Sequence, residues 1–383
     1  MRRDPQPELT AAIAELPLVD HHVHGVLRND LDRSGLEAAI TESFDRAPAG
    51  TTHFDSPVGF AIRRHCGPVL GLPPHATAED YVGRRRELGA AEVNRRLLAA
   101  SGIAHLLLDT GHRAAEITSP AETSGLAGQR VDEVIRLEPV AEQVAGEGVG
   151  AAAFADEFAG RLAEQASAAV GLKSVVAYRF GLDFDPSPPS PAEVTDAVGR
   201  WLRDMPAGEQ PRLTDPVLLR HLIWAGLELG LPLQFHVGYG DPDLHLHRCN
   251  PLLMTDFLRA SQARGVPIML LHCYPYHREA GYLAQIFPHV YFDVGEAVTY
   301  TGARSRSVLA ASLDLAPFGK ILFSSDGWGA AELHHLGAVL WRRGMADVLG
   351  GFVEAGEWSF DDAVRVAAMV GRDNARRAYR LGA

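Results

Sequence analysis

The sequence has few cysteines. Its three, Cys66, Cys249 and Cys273, include no CxxC pair, and three cysteines cannot build a disulfide framework. This scarcity excludes the class of small, disulfide-stabilised secreted domains and indicates a reducing compartment. We therefore expect a cytoplasmic protein.

Positive charge and long apolar runs are also scarce. Lysine and arginine total 36 against 48 aspartate and glutamate residues, a formal net charge of −12, whereas a protein that neutralises phosphates needs clustered cations. Residues 1–7 lead into no apolar run long enough for a signal peptide or a membrane span. The sequence therefore argues against nucleic-acid and membrane partners.

A regular alternation of short apolar runs and helix-like stretches fills most of the 383 residues, and the hydrophobic content of 46% is enough for one large core. The strand-like runs lie at 18–24, 104–108, 134–137, 169–176, 233–235, 266–271, 290–294 and 321–323. Eight strands separated by helices predict an α/β fold of the (β/α)8 TIM-barrel type, forming a single domain over 1–383. A doubly wound sheet is the alternative, but it would more often show a glycine-rich turn after its first strand, which this sequence lacks.

One interval, 26–103, interrupts the alternation. It contains no strong strand pattern and has a helical pattern from 78 to 100. Its length is too great for a simple connection between a strand and a helix. We expect a mainly helical insertion after strand 1, acting as a lid over one end of the barrel.

The opening strand carries a His-x-His pattern. Side chains alternate between the two faces of a strand, so His22 and His24 point the same way and His21 points to the other face. Two imidazoles on one face can bind one metal ion, although the pattern alone is more often polar decoration.

Three later strands end in further candidate ligands. His236 ends strand 5, His272 ends strand 6 and Asp326 ends strand 8. Because barrel active sites form at the carboxyl ends of the strands, these side chains should meet the histidine pair. We therefore predict a metal site formed by His22, His24, His236 and Asp326.

Through these residues the sequence resembles the amidohydrolase superfamily over nearly its whole length. It is most similar to the amidohydrolase-2 branch and, within it, to FluG-type domains, which occur alone or fused to glutamine-synthetase-like domains. The segments that carry the resemblance are 173–182, 235–243 and 271–284. The resemblance implies a metal-dependent hydrolase, in a branch that also contains decarboxylases and an isomerase.

The ligand types fit that chemistry. Neutral imidazoles with one carboxylate suit Zn²⁺, with Mn²⁺ or Fe²⁺ as alternatives, and a bound zinc ion can lower the pKa of water to about 7. Asp326 would then accept a proton from the activated water and pass it to a leaving amine. His272 is a second catalytic candidate, which would polarise the substrate carbonyl, stabilise the oxyanion or bind a second ion.

Lys173 decides between one ion and two. The resemblance implies that a carboxylated lysine on strand 4 can bridge two metals, and Lys173 lies in that run. The alternative is an ammonium paired with a pocket carboxylate, for which Glu138 is a candidate, because a lysine in an apolar run is costly unless it is paired or modified. We expect one ion in preference to two.

Substrate contacts are predicted for Tyr178 and Arg179 after strand 4 and for Arg278 after strand 6, since arginines at such a mouth clamp carboxylates. A carboxylate-bearing small molecule, such as a γ-glutamyl compound, fits both these arginines and the resemblance. Asp326 is followed by Gly-Trp-Gly, whereas relatives often have a different sequence after this aspartate. We therefore expect Trp328 to form an aromatic or apolar wall of the pocket.

The sequence thus predicts a hydrolase that cleaves a C–N bond of the amide type by a metal-activated water. A metal-dependent, non-oxidative decarboxylase of a small carboxylate is the enzymatic alternative, and a non-catalytic barrel module is the second. Asp109 is assigned equally to a turn and to the pocket, whereas His245, His247, His277, His334 and His335 are expected mainly outside the site. The oligomeric state is left open, with a homo-oligomer among the options.

Overall fold

A computed structural model describes residues 6–204 and 211–382. Residues 1–5, 205–210 and 383 lie outside the described residues. The parts of the single-domain prediction and of the N-terminal prediction that concern them lie outside as well. Within the described residues, seven parallel strands form one sheet in the order of the chain, each pairing with the next. The strands are β1 (Leu18–Val23), β2 (Ile103–Asp109), β3 (Arg130–Arg136), β4 (Gly171–Ser174), β5 (Leu233–Val237), β6 (Ile268–His272) and β7 (Val290–Phe292).

The predicted eighth strand, 321–323, forms backbone bonds without becoming a regular strand. Leu322 N donates to Phe292 O, in β7, at 3.0 Å, and His21 N, in β1, donates to Phe323 O at 3.2 Å. This run therefore lies between the last strand and the first, and the sheet curls around as in a TIM barrel. The prediction of a parallel α/β sheet is confirmed.

Helices follow most strands and cover the outside of the sheet. They are α1 (Gln6–Ala14), α2 (Arg33–Ala38), α3 (Pro57–Ala61), α4 (Gly67–Val69), α5 (Ala78–Leu88), α6 (Ala90–Ser101), α7 (Pro120–Ala127), α8 (Leu137–Gly146), α9 (Phe154–Ala166), α10 (Val176–Arg179), α11 (Pro191–Asp204), α12 (Pro216–Glu228), α13 (Thr255–Ser261), α14 (His277–Ile286), α15 (Gly295–Tyr300), α16 (Ser305–Ser312), α17 (Ala331–Glu354), α18 (Phe360–Ala368) and α19 (Asn374–Ala378). Short 3-10 and π-helical turns connect several of them. The helix starts follow ordinary capping chemistry: Thr77 caps α5 and Ser119 caps α7 in a capping box.

The strands are buried because the helices and the sheet interior cover both faces. Every residue of β1, β5 and β6 is buried, which is the pattern of parallel strands in α/β folds. The interior also holds polar groups, which must be paired there. His21 Nε2 lies 3.0 Å from Asp293 Oδ2, and Tyr379 Oη, from the C-terminal segment, lies 3.0 Å from His21 Nδ1 and 2.8 Å from Gln234 Nε2.

The interval 26–103 contains the helices α2 to α6. Its contact with the rest of the chain includes a buried ion pair, in which Arg85 Nε of α5 lies 2.6 Å from Glu332 Oε1 of α17. Tyr81 Oη donates to the same carboxylate oxygen at 2.8 Å. Whether the interval acts as an inserted lid stays a prediction.

The longest of these helices is not a membrane span. In the part of the chain that the structure describes, no helix combines the length and the apolar character needed to cross a bilayer.

Candidate metal centre

Strand β1 brings its two alternate histidines to one side. The rings of His22 and His24 lie with centroids 5.2 Å apart, whereas His21, between them, is held by Asp293 and Tyr379 inside the sheet. Because side chains alternate along the strand, His21 lies on the opposite face from His22 and His24, as the sequence predicted.

His272 and Asp326 reach the same place from unusual backbone conformations. His272 has φ 66°, its neighbour Cys273 has φ 55°, and Asp326 has φ 50°, a region that non-glycine residues rarely occupy. The backbone N–H of His272 donates to Asp293 Oδ1 at 3.1 Å, which helps to hold this geometry. Strained backbone that the surroundings fix in this way is typical of functional sites.

The carboxylate of Asp326 lies at the centre of the histidines. Its oxygens are 3.2 Å from His22 Nε2, 3.8 Å from His24 Nε2 and 3.3 Å from His272 Nδ1. Ligand atoms on a tetrahedral zinc ion, with bonds of about 2.0–2.1 Å, lie about 3.3 Å apart. The spacing of the donor atoms therefore fits a shared divalent ion.

The hydrogen bonds around these imidazoles leave one ring nitrogen beside Asp326 without a partner. His272 Nδ1 is buried, lies 3.3 Å from Asp326 Oδ2 and has no hydrogen-bond partner among the described residues. His22 approaches Asp326 through Nε2, which also lies 2.9 Å from Lys173 Nζ. His24 Nδ1 lies 2.8 Å from Asp109 O. Because a carbonyl oxygen only accepts hydrogen bonds, Nδ1 carries the proton. The lone pair of His24 is therefore on Nε2, the nitrogen 3.8 Å from Asp326. A hydrogen bond of this kind, made by the ring nitrogen that does not bind the metal, orients metal-binding histidines.

Burial keeps these imidazoles uncharged. It lowers the pKa of His22, His24, His236 and His272 well below the usual histidine value, and the neighbouring Lys173 acts in the same direction. Neutral imidazole is the form that binds metals. Burial also raises the pKa of the Asp326 carboxyl, while Lys173 opposes that shift.

Two overlapping groups could hold an ion in the described part of the chain: His22, His272 and Asp326, and His22, His24 and Asp109. His236, which the sequence assigned to the first metal, belongs to neither group. Its ring lies one step farther, with its centroid 5.0 Å from that of His272, and its Nε2 is buried without a partner. His272 therefore lies in the position beside Asp326 that was predicted for His236, and His236 lies farther away.

Lys173 pairs with a different carboxylate from the one suggested by the sequence. Its Nζ lies 3.3 Å from Asp109 Oδ2 and 2.9 Å from His22 Nε2. Glu138 is not its partner, because that carboxylate accepts hydrogen bonds from Ser174 Oγ at 2.7 Å and from Val175 N at 2.8 Å. Glu138 thus holds the end of β4.

Asp109 is a carboxylate that the sequence assigned equally to a turn and to the pocket. It is fully buried at the end of β2, and Arg136 Nη2 of β3 approaches it at 2.6 Å. Although burial alone would raise the pKa of Asp109, Arg136 and Lys173 hold it far below the usual value. The carboxylate is therefore ionised and links His24 to two cations.

A cavity of about 410 Å³ opens over these residues, a volume suited to a small ligand. Tyr178 and Arg179 line it, as the sequence predicted for their positions. The ring of Tyr178 packs on His236 with centroids 4.4 Å apart. Arg179 Nη2 is 3.2 Å from Glu142 Oε1, whereas its Nη1 is buried without a partner in the described residues.

Arg278 does not join them. Its guanidinium pairs with Asp314 at 3.0 Å, and the Arg278 side chain is 71% exposed on the outside of α14. The structure therefore gives no basis for the predicted substrate contact. The helix starts immediately after the turn that follows β6, and its first turn already points away from the cavity.

Other cavity residues carried weak or no signals in the sequence. Trp328 lines the wall, as expected, with the guanidinium of Arg113 4.5 Å from its ring centroid. Glu42 and Glu296 also line it; neither belongs to a motif, so only the folded arrangement reveals them.

The remaining histidines divide between structure and surface. His334 Nε2 lies 2.9 Å from His24 O and so supports the β1 end, although the sequence placed it mainly outside the site. His245 and His247 are exposed, as expected.

The chain is similar to known proteins of one family. A family model described as amidohydrolase matches residues 19–381. Protein fluG of Emericella nidulans is 34% identical over 226 residues, which cover 56% of this chain and 26% of that protein. The match thus spans about a quarter of the length of this curated relative.

Solved structures extend the comparison to the whole chain. A Lactobacillus casei protein described as a metal-dependent hydrolase is 27% identical, with a TM-score of 0.83 and 97% of each chain covered. A uronate isomerase from Thermotoga maritima has a TM-score of 0.64 at 14% identity, covering 98% of this chain and 97% of that chain. One from Bacillus halodurans has a TM-score of 0.65 at 13% identity, covering 98% and 96%. The two isomerases share the fold alone.

Proposed function

Because the chain belongs to the amidohydrolase family, we propose that it is a metal-dependent hydrolase that cleaves a C–N bond, namely an amide of the γ-glutamyl type. The family contains metal-dependent hydrolases together with isomerases and decarboxylases, so the reaction type is our proposal. The observation that carries it is the convergence of His22, His24 and His272 on Asp326, with the unpartnered Nδ1 of His272 beside the carboxylate.

We propose that His22, His24 and Asp326 hold one divalent ion, with His272 or His236 beside it. A mixed set of imidazoles and a carboxylate suits Zn²⁺, and Mn²⁺ or Fe²⁺ would also accept it. Lys173 supports one ion over two, because its ammonium already has Asp109 as a partner at 3.3 Å. Such an ion supplies Lewis acidity and a water of lowered pKa.

The side chains then have separate tasks. Asp326 lies among the histidines at the cavity, so its carboxylate can take a proton from the attacking water and return it to the leaving nitrogen. His272, with its free Nδ1, stands next to this carboxylate and would polarise the scissile carbonyl. Asp109 orients His24 through its backbone oxygen.

The cavity supports a carboxylate-bearing substrate. Arg179 Nη1 is buried at the wall without a partner, which leaves a donor for an anionic group. Tyr178 would contact the same substrate across the ring of His236. The Lactobacillus casei protein, whose description is that of a metal-dependent hydrolase, supports hydrolysis as the reaction.

Other properties complete the proposal. We propose a single catalytic domain over 1–383, in which the helical interval 26–103 covers the cavity, in a cytoplasmic protein that acts on small molecules. The presence of Ala38, Thr41 and Phe44 at the cavity wall supports a covering role for this interval.

The test is an assay of metal-loaded protein with γ-glutamyl amides, measuring released amine and, in parallel, released CO2. We expect amine release that is lost in Asp326→Asn and in protein stripped of metal, with about one ion per chain by metal analysis. Glu354→Gln, at an exposed position at the end of α17, is the matched carboxylate control and should retain full activity. CO2 release without amine would assign the decarboxylase reaction instead, and full activity in metal-free protein would overturn the proposal.

A further inference from the structure

One wall of the cavity combines two carboxylates with tyrosine rings. Glu42, Glu296, Tyr178 and Tyr300 line the cavity. Tyr239 packs against Tyr300, with ring centroids 5.8 Å apart. We call these five residues the acidic–aromatic wall.

Glu296 is the residue that points to a ligand. Only 4% of it is exposed, it lies at the cavity, and its Oε2 has no hydrogen-bond partner among the described residues. Burial raises the pKa of this carboxyl well above the usual value, and the nearby Glu42 raises it further. A buried carboxylate oxygen without a partner is costly, so the position favours an occupant that donates hydrogen bonds.

Glu42 strengthens the same demand. Its Oε1 accepts a hydrogen bond from Tyr300 Oη at 2.9 Å. In residues 6–204 and 211–382, neither Glu42 nor Glu296 takes part in a salt bridge, and Lys173, the cation that acts on Glu296, is committed to Asp109 at 3.3 Å. The wall therefore has two acidic groups and lacks a cation of its own.

The tyrosines make the wall selective for a cation. Aromatic ring faces attract ammonium groups, and carboxylates accept their N–H donors. Tyr300 donates its hydroxyl to Glu42, and Tyr178 lines the same cavity as both carboxylates. An ammonium group satisfies rings and carboxylates together, whereas an anion would be repelled.

We propose that the acidic–aromatic wall is an ammonium subsite, so that the substrate carries a free primary amine as well as the scissile bond. This inference rests on the proposed function for the statement that the amine belongs to an amide substrate. Glu296 and Asp326 line the same cavity, so the subsite opens into the space over the candidate metal centre. The substrate class is therefore an amide with a positively charged amino group close to the reacting carbonyl.

The experiment measures binding without turnover. Metal-loaded full-length protein is titrated in a calorimeter at pH 7 with n-butylammonium, and with n-butanol as a neutral probe of the same chain length. We expect n-butylammonium to bind at least about tenfold more tightly than n-butanol, because a buried charge pair discriminates by such factors or more.

Variants assign the binding to the wall. Glu296→Gln and Glu42→Gln should each weaken n-butylammonium binding by about 10- to 100-fold, whereas Glu354→Gln should leave it unchanged. Tyr300→Phe keeps both carboxylates and the ring, so its effect should be smaller than either. Metal content and melting temperature are measured for each variant, and Glu296→Gln should not lower the melting temperature, since the carboxylate oxygen it replaces has no partner.

The outcomes separate this inference from the proposed function. Equal binding of n-butylammonium and n-butanol, or tight n-butylammonium binding that both glutamine variants retain, would overturn the subsite. Selective binding that the variants abolish would support it even if no γ-glutamyl amide is hydrolysed, and in that case only the proposed reaction fails.

Discussion

The buried pair between Arg85 and Glu332 offers the sharpest test of how the interval 26–103 is attached. Glu332 is fully buried, Arg85 is 4% exposed, and the guanidinium Nε approaches the carboxylate at 2.6 Å. We predict that Glu332→Gln destabilises the protein, because the substitution leaves the buried Arg85 without a negative partner.

The size of the effect follows from the burial. Breaking a buried ion pair by removing one partner costs about 3–5 kcal/mol. Unfolding entropy of about 2.1 cal/mol/K per residue gives about 0.8 kcal/mol/K for a chain of this length. The melting temperature of Glu332→Gln should therefore fall by about 4–6 °C.

Differential scanning calorimetry of the metal-loaded protein measures this shift. Glu354→Gln, on the same helix but exposed, is the control and should stay within about 0.5 kcal/mol of the parent protein. Adding Arg85→Met to Glu332→Gln removes the uncompensated charge and should recover part of the loss. A shift below 1 °C for Glu332→Gln would refute the reasoning, as would a double variant less stable than the single one.

Four further predictions concern the centre and its supports. Removal of the metal with a chelator should lower the melting temperature, by about 3 °C at ion concentrations near 100 times Kd, and added Zn²⁺ should restore it. Asp109→Asn leaves Arg136 and Lys173 without their carboxylate, so calorimetry should show a loss of about 3–5 kcal/mol; unchanged stability would contradict this charge pairing. Tyr379→Phe removes the hydroxyl shared by His21 and Gln234 and should cost about 1–3 kcal/mol in denaturant unfolding. Arg278→Ala should leave kcat/KM for the amide unchanged, since its guanidinium pairs with Asp314 on the surface; a large rise in KM would restore the sequence prediction.

The parts of the fold and site that follow from a strand period were predictable from the sequence. The alternation of β1 placed His22 and His24 together, and the rule that barrel sites form at strand ends led to His272 and Asp326. Both inferences need only local pattern and a fold class.

Residues whose role depends on a partner from another element were not predictable. Asp109 becomes a central carboxylate only because Arg136 and Lys173 arrive from the two following strands. Glu42 and Glu296 lie more than 250 positions apart and meet only in the folded cavity. Arg278 failed for the opposite reason, because nearness in sequence to a strand end does not determine where the first turn of a helix points.

The closure of the sheet by the run after β7 also has a consequence for biosynthesis. His22 and Asp326 are separated by 304 positions in the chain. At translation rates of about 5–20 residues per second, the histidine pair waits about 15–60 s before its carboxylate partner is made. During that time the nascent chain presents two neighbouring imidazoles to the cellular metal pool without the rest of the centre, so the ion that the finished protein holds is selected only when the last part of the barrel has folded.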